Sequence, residues 1–142
     1  MYYVNREQIE RRLDVIPEIL QVCTLANTNS GEHLLARYAE ERAIHLAIEV
    51  VTDVGSYLID GFIMRDASSY EDIVDIMMDE QVVDKELGSI LTKLVRLRRP
   101  LVQSYFDWDR SGGHELVQYL DEALTSFADK VRSYLDREAI PS

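Results

Sequence analysis

Cysteine is nearly absent from this chain. There is one, Cys23, in 142 residues, so an internal disulfide is excluded and a reducing compartment is the expectation. The ordinary role for such a residue is that of a small buried hydrophobe. Three prolines and six glycines leave room for long helices. No apolar run approaches the roughly 18 to 20 residues of a membrane span. The opening Met1-Tyr2-Tyr3-Val4-Asn5-Arg6-Glu7 lacks a signal-peptide layout, so a cytoplasmic protein with no membrane partner is expected. No alternating run bounded by turn residues suggests a strand, and no internal repeat or low-complexity tract is present. Positive charge is also short: 15 Lys and Arg face 26 Asp and Glu, for a formal net charge of -11. Broad binding to nucleic-acid backbone needs a basic footprint, so this balance argues against it. It does not exclude a small local anion site.

What is present is helical periodicity. Ile9, Leu13, Ile16, Leu20 and Cys23 predict a first helix from about Asn5, its N-cap, to Ala26, bent at Pro17. Asn27-Thr28-Asn29-Ser30-Gly31 reads as a turn. The longest helix is expected from Glu32 to Asp60, with Leu35, Tyr38, Arg42, Leu46, Val50, Val54 and Tyr57 on one face and Gly61 ending it. Phe62 to Asp66 is an apolar connection that something must cover. Ser69 with Asp72 resembles a capping box for a short helix, in which Ile73, Ile76 and Met77 face inward and Glu71, Asp72, Asp75, Asp79 and Glu80 form an acidic face. Asp84 caps a helix ending near Arg99, Pro100 opens a short segment through Trp108, and Ser111-Gly112-Gly113 turns into a last helix carrying Leu116, Leu120, Ala123, Phe127, Val131 and Tyr134. The expected architecture is a single all-α domain over 1–142, an antiparallel four- to five-helix up-and-down bundle.

Two polar features interrupt this pattern. Leu87, Leu91 and Leu94 lead to Arg98 where the next apolar residue belongs, and Leu101 and Tyr105 continue that face. An arginine directed inward needs an anionic or hydrogen-bonding partner. Lys93, Arg96, Arg98 and Arg99 gather four cations within seven residues, which reads either as a local anion site or as a solvated basic helix end. The second feature is His45, Glu49 and Asp53, stepping by four. It could hold a metal, orient a catalytic group, or form a solvated or interface face. The Glu-x-x-His pair of dimetal bundles is absent. A metal-dependent nucleotide pyrophosphohydrolase would need Glu-x-x-Glu and Glu-x-x-Asp; Glu7 and Glu10 give the first, and the second does not occur.

The stretch Arg98-Arg99-Pro100-Leu101-Val102-Gln103-Ser104-Tyr105, the helix Glu41 to Asp53 and the connection Asp60-Gly61-Phe62-Ile63-Met64-Arg65-Asp66 together resemble the HepT-like ribonuclease toxins of the HEPN superfamily, in particular the YutE-type branch. The hallmark of that family is Arg, four residues, His, any residue, Tyr. Arg98 and Tyr105 match it; Gln103 stands where the histidine belongs, and Arg99 where many relatives have asparagine. The resemblance implies a homodimer with two motifs facing across a cleft. It also implies metal-independent RNA cleavage by a ribose 2′-hydroxyl, with no cofactor and no metal. The site residues implied are Arg98, Gln103 and Tyr105, supported at the substrate by Arg99, Arg96, His45, Glu49 and Asp53. Some relatives act with a nucleotidyltransferase antitoxin that adds AMP to the motif tyrosine, Tyr105 here.

The mismatch carries chemistry. Glutamine has no proton to exchange near neutral pH, whereas imidazole titrates there. The phosphate-binding half of the motif survives and the proton-transfer half does not. The sequence thus supports a nuclease using an unconventional base such as His45 or Glu49, or a non-catalytic dimer that binds RNA, a nucleotide or a partner protein. On a straight helix Arg98 and Tyr105 share a face while Gln103 lies about 140° away, so Pro100 or a second subunit must complete the constellation. Tyr105 read as a core tyrosine would reach Arg98, and Trp108 is expected at a dimer edge.

Overall fold

Each of two prolines ends a helix four residues before itself. The computed structural model describes residues 3–28 and 33–139. Its elements are α1 (Arg6–Leu13), α2 (Ile16–Thr28), α3 (His33–Gly61), α4 (Tyr70–Asp79), α5 (Lys85–Arg96), α6 (Arg98–Gln103), a 3-10 turn (Tyr105–Asp107) and α7 (Val117–Glu138). Proline has no amide proton for the carbonyl at i−4, and its ring crowds that carbonyl. Pro17 accordingly ends α1 at Leu13, and Pro100 ends α5 at Arg96. The first helix is therefore broken rather than bent, and the α5 helix stops short of Arg99. With each broken pair taken as one run, the described residues form a five-helix antiparallel bundle without strands.

The remaining boundaries follow local chemistry. Asn5, Ser69 and Asp84 each accept a hydrogen bond from a backbone N–H three residues on, at 3.2, 3.0 and 2.8 Å, the N-cap geometry. Gly61 is the last residue of α3, but the left-handed residue that stops the helix is Ile63, at φ 55°. The Met64 N–H then donates to the Ile59 carbonyl, as in a Schellman motif. Gly61 is required for close approach instead: a Cβ there would lie 3.0 Å from the backbone of Tyr3 and Val4. Phe62 and Met64 are buried, which covers the apolar connection except for Ile63. At the expected turn, Asn27 and Thr28 belong to α2; Asn29 to Gly31, and the helix start at Glu32, lie outside the described residues.

α3 is the spine, roughly 43 Å long at 1.5 Å per residue, and packs against α1, α2, α4, α5 and α6; α7 closes the bundle against α2 and α5. Its buried face is not the stripe expected from sequence. Leu35 and Tyr38 are exposed, as is Arg42, and Val50 and Val54 are buried. Four-residue steps advance 400°, so each one drifts 40° around a helix of 3.6 residues per turn. From Tyr38 to Val54 the series winds from solvent into the core. The face actually buried includes Ala36, Ala43, Ala47, Ile48 and Val51.

One ion pair is also inside. Arg37 and Glu40 are 7% and 4% exposed and lie 3.5 Å apart. Arg37 donates to the Ala26 carbonyl at 2.9 Å, and Glu40 accepts the His114 N–H at 2.9 Å. The pair fastens the loop before α7 to α2 and α3. A Cβ on Gly113 would meet Arg37 Nη1 at 2.7 Å. Burial, reinforced by the Glu40 charge, pushes the nearby Cys23 thiol up to about 11.

Candidate functional site

Arg98 is the first residue of α6, in the break created by Pro100. Its side chain is 27% exposed, and its Nε is buried without a hydrogen bond. The guanidinium lies over the Tyr70 ring, 4.0 Å from the centroid, a cation–π contact. Nε is 3.6 Å from Glu49 Oε1, which is charge-pairing distance rather than a tight hydrogen bond. That oxygen also faces His45 Nε2 at 3.4 Å, and His45 Nδ1 faces Arg42 Nη1 at 3.3 Å. Arginine nitrogens only donate. Nδ1 is therefore the acceptor, the neutral ring keeps its hydrogen on Nε2, and the contact with Glu49 is a charge-pairing one rather than a hydrogen bond. Three helices thus contribute: α6 the cation, α3 the carboxylate and imidazole, α4 the aromatic platform.

The other residues of the expected constellation are placed elsewhere. Asp53 continues the four-step stripe but has drifted 80° from His45; it pairs with Arg12 at 3.2 Å, which in turn lies over Tyr57. His45, Glu49 and Asp53 do not converge, and among the described residues no three His, Cys, Asp or Glu side chains are placed to hold a metal ion. Arg96 is engaged by Glu71 across to α4. Arg99 and Gln103 are exposed and make no side-chain hydrogen bond or ion pair with any described residue. The acidic face of α4 is partly paired too: Arg65 makes two hydrogen bonds to Asp72, at 2.8 and 2.9 Å, and approaches Asp79.

Tyr105 is not a core tyrosine. α6 ends at Gln103, and Ser104 leaves helical geometry at φ -117°, ψ 36°, so the shared face of a straight helix does not exist. Tyr105 is 59% exposed, and its ring meets Phe106 edge-on at 5.7 Å rather than touching Arg98. The turn is held by Arg110. It makes two hydrogen bonds to Glu41, at 2.8 and 3.0 Å, donates to the Tyr105 carbonyl at 3.0 Å and stacks on Tyr38. Hydrogen bonding to Glu41 raises the Arg110 pKa against the lowering effect of burial. Trp108 packs within its own chain, stacked on His114 at 5.5 Å, with His114 Nδ1 accepting the Leu116 N–H. Val102, Tyr105 and Phe106 remain as exposed apolar surface beside the motif.

Tyr70 and the Arg110–Glu41 clamp have no signature in the sequence. Tyr70 is 28 residues from Arg98, and Glu41 is 69 from Arg110, so only the packing of helices brings them together. Chemically, the arrangement offers a guanidinium held on one face and one edge, suited to a phosphate, with an imidazole across a single carboxylate.

The family model described as ribonuclease HepT-like matches residues 9–133. YutE of Bacillus subtilis (strain 168), which carries a provisional ribonuclease name, is 38% identical over 141 residues, 99% of this chain and 96% of YutE. A solved structure of YutE from Bacillus subtilis, described as a cytosolic protein of unknown function, has a TM-score of 0.87 at 39% identity, covering 100% of this chain and 98% of its own. The fold is shared with a tri-AMPylated HEPN toxin of Shewanella oneidensis solved in complex with an MNT antitoxin. That match has a TM-score of 0.75 at 14% identity and covers 88% of this chain and 96% of the toxin. Among the described residues no helix is long and apolar enough to cross a membrane.

Proposed function

The chain belongs to the HepT-like ribonuclease family, and from that premise we propose that it acts as a cytosolic homodimer gripping an RNA phosphodiester between two Arg98 side chains. The observation that carries this is the fixing of Arg98 by Tyr70 and Glu49. A cation already oriented loses little freedom when a phosphate arrives. Exposed Val102 and Phe106 beside it support pairing of two copies through these two side chains, since apolar surface adjoining a polar site marks an interface. The acidity of the rest of the chain confines RNA to this point.

By analogy with the Shewanella oneidensis toxin and its MNT antitoxin, a nucleotidyltransferase antitoxin is the protein partner in this reading, and Tyr105 is its target. The 59% exposure of Tyr105 suits transfer of AMP to its hydroxyl. Gln103 favours a second reading, in which the cleft binds without cutting, because an amide cannot exchange a proton near neutral pH. Fluorescence anisotropy with a single-stranded RNA tests the phosphate grip. Arg98→Ala should weaken binding at least about tenfold, the lower range for a charge-assisted contact, and equal affinities for both proteins would refute it. If the missing proton carrier is the only defect, Gln103→His should raise cleavage about 10²-fold or more.

A further inference from the structure

We infer that His45 supplies the proton transfer that the motif lost with its histidine, making the site a nuclease whose acid–base group lies on α3 instead of α6. The inference rests on the reading above, that Arg98 engages an RNA phosphate. Glu49 is its pivot: one oxygen, Oε1, faces His45 Nε2 at 3.4 Å and Arg98 Nε at 3.6 Å. Glu49 thereby sits within charge-pairing distance of both groups, placed to stabilise a proton held on the imidazole, with Nε2 carrying the hydrogen of the neutral ring and Nδ1 the lone pair. Among the described residues, Nδ1 has its hydrogen-bond contact with Arg42, an exposed side chain on the same helix turn. A phosphate entering beside Arg98 attracts Arg42 as well and frees that lone pair. Among the described residues, the charged and titratable groups in contact with His45 and its pivot are Arg42 and Glu49 on α3, Arg98 on α6 and, beyond Arg98, Tyr70 on α4.

In the step proposed, the ribose O2′–H bond breaks as the O2′–P bond forms, and His45 Nδ1 takes the proton. The P–O5′ bond then breaks, and the leaving O5′ receives a proton from the imidazolium or from water in exchange with it. The products are a 2′,3′-cyclic phosphate and a 5′-hydroxyl. Nothing is oxidised or reduced, and no other reactant is consumed. Arg98 balances the charge that grows on the equatorial oxygens.

The test uses the purified full chain and an unstructured RNA oligonucleotide, with cleavage and anisotropy measured on the same samples. The wild type should yield cyclic-phosphate ends. His45→Ala should cut at least about 10²-fold more slowly, hold RNA within a few-fold of wild type, and recover part of its rate with added free imidazole. His45→Gln, which keeps polarity without proton exchange, should be equally slow, and melting curves for both variants control for folding. A His45→Ala protein cutting at the wild-type rate overturns the inference. So does a wild type that binds RNA and leaves it intact, an outcome under which the phosphate grip still stands. A wild type that neither binds nor cuts overturns both.

Discussion

Arg98 shows how far a single residue can be read in advance. Its place in an apolar repeat is enough to say that it turns inward and needs a partner. Which partners it finds depends on how α3 and α4 pack, and neither Tyr70 nor Glu49 is adjacent to it in the chain. Tyr105 failed as a core residue for a local reason: α6 is only six residues long, so periodicity does not extend through Ser104. Cys23 was legible from composition alone. Its buried thiol has a pKa raised to about 11, with desolvation the first cause, so almost no thiolate is present at pH 8, and the thiolate is the reactive form. A disulfide reagent added to native protein at pH 8 should leave Cys23 unmodified for hours and react within minutes in denaturant; fast native labelling would contradict this burial.

At the scale of elements, caps and prolines carried the reading. Asn5, Ser69 and Asp84 act within three residues, which is why sequence finds them. The broken helices could have been placed from the i−4 carbonyl of each proline. The buried face of α3 could not be placed by counting in fours over so long a helix. α3 and α4 approach closely at Gly55, where an added Cβ would lie 2.3 Å from Ile73 Cγ2 and 3.2 Å from Met77 Cε. Ile73 is branched at Cβ and cannot swing aside, so Gly55→Ala should cost about 1–3 kcal/mol by overpacking, read as a lower urea midpoint. The turn before α4 carries a pH signature. Hydrogen bonds from Arg65 first, and then from the Ser68 N–H, hold the Asp72 carboxyl well below the usual carboxylate range. A depressed carboxylate contributes stability above its unfolded pKa, near 4, and loses it as pH falls through the folded value. Asp72→Asn should melt below wild type at pH 7, with the gap narrowing steadily below about pH 4 in circular-dichroism melts. A gap independent of pH would mean that the carboxylate charge is not the cause.

For the molecule as a whole, a net charge of -11 and the single phosphodiester that the proposed dimer grips set the expected salt response. Single-strand binding loses about 0.7 in log–log slope per phosphate neutralised. Two copies of Arg98, with Arg99 beside each, should give a shallow slope of about -1 to -3 in an anisotropy titration over sodium chloride, and a slope near -6 would require a basic surface the chain lacks. The pairing proposed through Val102 and Phe106 has its own consequence. Phe106 is 70% exposed, so Phe106→Asp should leave the fold intact while shifting sedimentation from dimer to monomer. An unchanged sedimentation profile would place the contact elsewhere or remove it. Sequence indicated a helical bundle of this family, because periodicity and motif spacing are short-range facts. It did not indicate which three helices converge on one cation, because that is decided by their mutual orientation.

The reversal after α3 holds a branched residue, Ile63, in left-handed backbone with 70% of its surface in water. Such a residue is strained by about 1–2 kcal/mol and recovers little of that by contact. The protein therefore keeps an unused margin of heat resistance at a bend more than a dozen residues along the chain from Glu49: Ile63→Asn should lift the melting temperature by a few degrees and leave RNA affinity where it was. Anyone wishing to toughen this scaffold for crystallography or for carrying disabling substitutions at Arg98 would begin at that bend.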